Sequence, residues 1–215
     1  KDESELPRVL IVEDNPHIVQ VLIACLEDEY QLTIASNGQI GIDKALEQIP
    51  DLIISDVMMP EKDGFELTDT LKNDERTDHI PIILLTAKSD IEAKLSGLQK
   101  GADAYLAKPF EERELKIRME KLLELRKKLQ ARYAQFSVEE NEPPKIENPF
   151  LQKFYELVEE EISNPDLNMN KLCRSLGMSR SQGFRKLKAL TGKSATALIR
   201  SYRLLKGNQL LTKSE

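Results

Sequence analysis

The chain is poor in cysteine, has no long apolar run, and carries no acid at all between Leu167 and Ser214. Its two cysteines, Cys25 and Cys173, lie far apart in apolar helical patterns. A disulfide between them is open on paper, but two buried thiols in a reducing cytoplasm is the better reading. With only two histidines, His17 and His79, and no cysteine cluster, metal-ligand spacing is missing, and both histidines read as surface residues. No stretch approaches the roughly 18 apolar residues that span a bilayer. The opening KDESELP has none of the features of a signal peptide. The expectation is a cytoplasmic chain without membrane contact. No initiator Met stands at the front, which reads as a fragment or a processed protein.

What is present divides the 215 residues unevenly. Residues 1–133 carry 27 acids and 18 bases, a net charge of -9, and residues 134–166 add 9 acids against 2 bases, a net of -7. The acid-free stretch then holds 11 Lys and Arg. A charge run is usually a solvated face. A run of 48 residues without a carboxylate, in a chain of overall charge -6, points instead to a polyanionic partner.

In the first part, residues 8–12 (RVLIV), 30–35 (YQLTIA), 51–55 (DLIIS), 81–85 (PIILL) and 104–107 (AYLA) read as five short strands. Helical spacing lies between and after them, over 18–28, 40–48, 65–73, 91–100 and 112–133. Strand and helix alternate, and the strands are continuously apolar. That pattern predicts an α/β fold, a five-stranded parallel sheet with helices on both faces. In such sheets the groups beyond the carboxyl ends of the strands converge. Those groups are Glu13 and Asp14 after the first strand, Asp56 after the third, Thr86 after the fourth and Lys108 after the fifth.

Three carboxylates crowded together repel one another and call for a divalent cation, and an all-oxygen donor set suits Mg²⁺. A lysine and a hydroxyl opposite would meet the oxygens of a phosphoryl group, with Asp56 as the nucleophile. One aspartate at a strand tip is more often a helix cap or a turn residue. Five polar groups at four strand ends reverse that preference.

The pieces VLIVEDN, DLIISDVMMPEKDGFEL, PIILLTA and GADAYLAKPF together resemble the receiver domain of bacterial two-component response regulators, over about residues 6–125. The resemblance implies a flavodoxin-like receiver with Asp56 as phosphoacceptor, and with Asp56, Thr86 and Lys108 as the groups acting on the phosphoryl oxygens. It implies Mg²⁺ held by Glu13, Asp14, Asp56 and the Met58 carbonyl. Thr86 would be the switch hydroxyl, Tyr105 the aromatic that moves behind it, and Lys108 the salt-bridging lysine. The donor would be a histidine kinase. Such a domain catalyses its own phosphorylation and dephosphorylation without being a classical enzyme. Met58 and Lys88 flank the pocket, and Met58 offers an attacking water no hydrogen bond, which favours slow dephosphorylation. The output face would comprise 91–100, 104–107 and 112–129.

Beyond the receiver, LKIRMEKLLELRKKLQARYAQF keeps apolar positions at Leu115, Met119, Leu122, Leu125 and Leu129 past the length one domain needs, which suggests a homodimer through the receiver. SVEENEPPKIENP holds three prolines and reads as a linker over 134–148. A helix over 150–162 follows, then one over 169–176, a turn at Gly177 and Met178, and a helix capped by Ser179 running to about Leu190. Two helices across a glycine turn predict a small all-α helix-turn-helix segment, within 149–215, whose second helix enters the DNA major groove. Its candidates are Arg180, Gln182, Arg185, Lys186 and Lys188. Gln182 and Arg185 would read bases, and the rest would pair with phosphates.

The stretch LCRSLGMSRSQGFRKLKALTGKSATALIRSYRLLKGNQLL is similar to the first half of an AraC-type DNA-binding domain, as found at the end of hybrid two-component sensor-regulators. In that family two such units are joined by a long helix, here 194–211, and only one unit lies within this sequence, so weak DNA binding is expected. Gly183 stands where the family has an apolar side chain, and a packing gap is expected beneath it. The sequence therefore predicts a phosphorylation-dependent regulator that controls transcription. The competing reading is a receiver-switched dimerisation or docking module that no longer binds DNA. A phosphatase with an aspartyl-phosphate intermediate is disfavoured, because such enzymes need a second acid two residues past the nucleophile, and Met58 stands there.

Overall fold

The computed structural model describes residues 6–87, 101–134, 148–164, 167 and 169–212. The predicted helix over 91–100, Lys88 and most of the linker lie outside the described residues. The chain divides into two units, Lys1–Leu125 and Arg126–Glu215.

The first unit is a five-stranded, all-parallel sheet of β1 (Arg8–Val12), β2 (Gln31–Ala35), β3 (Leu52–Asp56), β4 (Ile82–Ala87) and β5 (Ala104–Lys108), in the spatial order β2-β1-β3-β4-β5. Between the strands run α1 (Pro16–Leu26), α2 (Gly38–Gln48) and α3 (Gly64–Lys72), and after β5 comes α4 (Glu112–Ala134). Each strand falls within two residues of the sequence reading, because the apolar runs needed to bury both faces of a parallel sheet are themselves the strands.

The period of two divides the core cleanly. Leu10, Val12, Ile53, Ile82 and Leu84 pack on one face against Ile42 and Ala45 of α2 and Phe65, Leu67 and Leu71 of α3. Val9, Ile11, Leu52, Ile54, Ile83, Leu85 and Leu106 pack on the other against Leu22 and Leu26 of α1 and Leu115 and Met119 of α4. The helices start where side-chain caps allow. The Asn15, Asn37 and Asp63 side chains each accept from amides of the first turn, and Asp63 with Glu66 completes a reciprocal capping box. His79, read from sequence as a surface residue, is largely buried, with Nδ1 3.5 Å from the Asp78 carboxylate. It sits one residue before Ile80, which is fully buried.

The second unit contains α5 (Pro149–Glu160), α6 (Met169–Ser175), α7 (Arg180–Thr191) and α8 (Ala195–Thr212). Phe150, Leu151, Phe154, Tyr155 and Val158 of α5 pack with Leu172, Cys173, Leu187, Leu190, Leu198 and Tyr202 in one apolar core. Gly177 takes φ +67 between α6 and α7, a left-handed turn that a side chain would strain. Ser179 caps α7 and forms a capping box with Gln182, and Gly192 at φ 68 closes its far end.

The gap expected under Gly183 is not there. A Cβ on Gly183 would lie 2.4 Å from Cys173 Sγ and 3.5 Å from Met169 Cε, so the cysteine of α6 occupies the space that a larger residue on α7 would fill. The correction follows from complementary size across the helix pair. Gly183→Ala should therefore lower stability, by about 1–3 kcal/mol if the sulfur cannot swing away. In a Cys173→Ala background the same change should raise stability, by up to about 1 kcal/mol of helix propensity. A double-mutant cycle by denaturant unfolding measures this. An equal effect of Gly183→Ala in both backgrounds would disprove the pairing.

Candidate functional site

The strand order reverses direction between β1 and β3, which are neighbours in space but not in sequence. At such a switch point the loops leave in opposite directions and open a crevice beyond the carboxyl ends. Val12 pairs with Ser55, so the residues following them, Glu13 and Asp56, emerge side by side. Ligand oxygens of Glu13, Asp14 and Asp56 all lie within 4.8 Å of one another.

Lys108, at the end of β5, reaches across to bridge this cluster. Its Nζ lies 2.9 Å from Glu13 Oε2 and 2.9 Å from Asp56 Oδ1. Asp56 Oδ1 also accepts the Val57 amide at 2.8 Å. Among the described residues no donor reaches Asp56 Oδ2. Glu13 is 1% exposed. Burial raises its pKa above the ordinary carboxylate value, against the lowering hydrogen bonds from Lys108 and the Asn15 amide, while the Asp56 charge adds to the rise. A carboxylate held in that state gains from a cation. The donor set is oxygen only and its third member, Asp14, is exposed, which fits a hard divalent ion that keeps several waters.

The remaining pocket residues occupy the places that the strand ends dictate. Thr86 follows Leu85, the partner of Asp56, and pairs with Ala107. It is buried, and its Oγ1 donates to the Ala87 carbonyl at 3.2 Å. Tyr105 pairs with Leu84, two residues before Thr86, so tyrosine and threonine share one face of the sheet. Tyr105 is half-buried against the cluster of α2 and α3, and burial pushes its phenol up. Met58 is 65% exposed in the loop after Asp56.

Gly64 completes the loop and was not singled out from sequence. Its amide donates to the Val57 carbonyl at 2.9 Å, and a Cβ there would stand 2.2 Å from the Asp56 carbonyl oxygen. The signal was available, since a glycine at the first turn of α3 sits just after the loop that follows Asp56.

On the second unit the basic candidates separate. Arg180 and Lys188 are exposed, and Arg185 is half-buried. Arg180 lies over the Phe184 ring at 5.4 Å. Lys186, expected to meet a phosphate, is instead 0% exposed, with Nζ 4.6 Å from the centre of the Phe150 ring. It falls on the core side of α7, one residue before Leu187, and its long stem reaches the aromatic face beneath, where a cation is attracted by the ring. Gln182 is occupied as well, since its Oε1 accepts the Ser179 amide in the capping box. Reading a base with both ends of its amide requires that bond to open.

The acid-free run also proves to be partly neutralised by the acidic segment before it. Lys171 pairs with Glu161 and Lys206 with Glu159, and these hydrogen bonds hold both carboxyls below their usual range. Arg203 donates to the Asn164 carbonyl at 2.7 Å. Arg174, Arg180, Lys188 and Arg200 remain on the surface.

A flavodoxin-like, doubly wound sheet with a lysine-bridged acidic cluster at its switch point defines the receiver class. Residues 9–120 match the family described as response regulator receiver domain, and the chain belongs to it. It is 36% identical over 212 residues to histidine kinase P4 of Formosa agariphila, covering 97% of this chain and 16% of that protein. It is 41% identical to the DNA-binding dual master transcriptional regulator RpaA of Synechocystis, covering 55% of this chain and 49% of that protein. Among solved structures, a sensor histidine kinase receiver domain from Pseudomonas aeruginosa PAO1, with magnesium coordinated in its active site cleft, is 32% identical. It superimposes with a TM-score of 0.52, covering 55% of this chain and 98% of that one. The chain thus spans about half or less of the length of these two curated relatives. Receiver domains accept phosphoryl groups from histidine kinases. Among the described residues no helix is long and apolar enough to cross a membrane.

Proposed function

We propose that this chain is a phosphorylation-switched two-component regulator acting in the cytoplasm: a receiver whose extended last helix carries it to residue 133, a linker over 134–148 and a DNA-binding helical unit over 149–215. Asp56 accepts the phosphoryl group from a histidine kinase. The observation that carries this is the Lys108 bridge to Asp56 and Glu13, which ties three strand ends into one charged pocket. Glu13, Asp14, Asp56 and the Met58 carbonyl would hold Mg²⁺, whose charge offsets the negative charge that builds up in phosphoryl transfer.

The chain's own groups divide the rest of the work. Lys108 holds Asp56 Oδ1, which leaves Oδ2 to attack. Once a phosphoryl group is in place, Lys108 and the Thr86 hydroxyl are donors for its oxygens. Thr86 is released from the Ala87 carbonyl to do so, and Tyr105, on the same face, follows into the space behind it. The resulting surface strengthens homodimer contacts. The exposed Leu125 and Leu129 of α4 supply apolar area for them.

For DNA the supporting features are a capped helix-turn-helix and the exposed Arg180 and Lys188 on or beside α7. The Formosa histidine kinase aligns through both units, so the helical unit recurs beside a receiver in a protein of that name. With about four phosphate contacts, affinity for duplex DNA should fall about 100-fold between roughly 50 and 200 mM salt. Truncating Lys188 should weaken all sequences alike, whereas truncating Arg185 should relax discrimination at about one base pair. Phosphorylation should favour two-site over one-site duplexes, since a dimer raises the effective concentration of its second unit. Fluorescence anisotropy across a salt series tests all three. Affinity indifferent to salt would overturn the DNA reading.

A second reading gains from the structure. The buried Lys186 and the engaged Gln182 shorten the list of groups that face a base. Absence of DNA binding at 50 mM salt in both phosphorylation states would leave the helical unit as a docking module.

A further inference from the structure

Residues 126–134, the last turns of α4, belong to the second unit. Gln130 Nε2 donates to the Ala189 carbonyl at 2.6 Å, across 59 residues of sequence. One turn further along α4, Tyr133 packs on the apolar core that contains Leu187 and Leu190 of α7. Two side chains of one short segment thus engage the helical unit, Gln130 at the end of α7 and Tyr133 at the core that α7 helps to form.

That end needs a partner. The last four carbonyls of a helix have no intrahelical donor. In α7, the Gly192 amide takes the Lys188 carbonyl, and the Gln130 side chain takes the next one along. Local sequence supplies the first of these caps. The second is supplied by a residue on a distant helix, which is half-buried and therefore held against competing water.

We propose that residues 126–134 are a latch on the recognition helix: Gln130 caps its C-terminal carbonyl, Tyr133 pins the segment to the core, and the pair positions α7. The latch rests on the DNA-binding reading for its consequence and not for its geometry. The helix that carries it is the one whose first turns, through Leu115 and Met119, form part of the receiver core. On this proposal a phosphorylation-dependent change in α4 would reach α7 through the Gln130 hydrogen bond, with Tyr133 holding the segment on the shared core.

The test is hydrogen exchange of the full chain, read on a peptide covering residues 187–193. Gln130→Ala should speed exchange there about 3- to 10-fold, the net worth of one hydrogen bond. Tyr133→Ala should do the same by loosening the segment. Gln130→Lys keeps a donor at that position and should restore most of the protection, which a general loss of folding would not. Beryllium fluoride bound at the receiver should alter exchange of this peptide in the wild type and leave Gln130→Ala unaffected. Unchanged exchange in both alanine variants would overturn the latch, as would Gln130→Lys exchanging as fast as Gln130→Ala. A wild-type peptide indifferent to bound beryllium fluoride would overturn its regulatory role. Failure to bind DNA with these exchange differences intact would count against the proposed function and leave the latch standing.

Discussion

Asp56→Asn should take up no phosphoryl group from acetyl phosphate and Mg²⁺, under conditions in which the wild type gains the mass of one. Asp56 is the member of the acidic cluster that ends β3, the strand beside β1 at the switch point, and its Oδ1 is held by the Val57 amide and Lys108. An amide is no nucleophile toward phosphorus. The substitution also removes one of three charges from the acidic cluster that would hold the cation, so on this reading it acts twice on the same reaction. The loss should be complete rather than partial, because Glu13, the other buried carboxylate, is drawn to Lys108 and the Asn15 amide. Intact-mass measurement decides the matter, with circular dichroism to confirm an unchanged fold. Equal labelling of Asp56→Asn and the wild type would remove Asp56 from the mechanism.

Gly64→Ala should be nearly as damaging, through the backbone. A Cβ at Gly64 would lie 2.2 Å from the Asp56 carbonyl oxygen and 3.0 Å from both the Asp56 carbonyl carbon and Val57 Cα. All three are backbone atoms of Asp56 and Val57, so no rotamer change relieves the contact. Either α3 withdraws, breaking the Gly64 to Val57 hydrogen bond, or the loop after β3 moves and takes Asp56 with it. Overpacking of this kind costs about 1–3 kcal/mol and occasionally more, and a displacement of about 1 Å at a reacting group can cost 100-fold in rate. Gly207→Ala is the matched control. Nothing lies within 4 Å of its Cβ position, and it sits inside α8, so it should gain up to about 1 kcal/mol. Thermal unfolding and the rate of labelling by acetyl phosphate report both variants. A Gly64→Ala protein that labels at the wild-type rate would show that the loop tolerates the displacement.

Much of this molecule could be read along the chain because its physics is local or periodic. A strand buried on both faces has to be continuously apolar, so RVLIV, LIIS and IILL announce themselves. Groups at the ends of such strands must lie at one edge of the sheet, so Glu13, Asp14, Asp56, Thr86 and Lys108 are gathered by strand order alone. Ser179, Gly177 and Gly192 mark the ends of helices by capping chemistry that depends on near neighbours only.

What the tertiary structure alone decided is how residues distant in sequence share space. Lys186 looked like a phosphate ligand because a lysine on a recognition helix usually faces solvent, and only the position of Phe150 beneath it turns the side chain inward. Gly183 looked like a defect until Cys173 was seen to fill its place. The acid-free run looked uncompensated until Glu159 and Glu161 met Lys206 and Lys171. The bond between Gln130 and Ala189 has no signature in sequence, because each partner is ordinary in its own helix and only packing brings amide and carbonyl together. Periodicity and caps are properties of a short window of chain, whereas size complementarity, charge pairing and long-range capping are properties of pairs that only the folded chain selects.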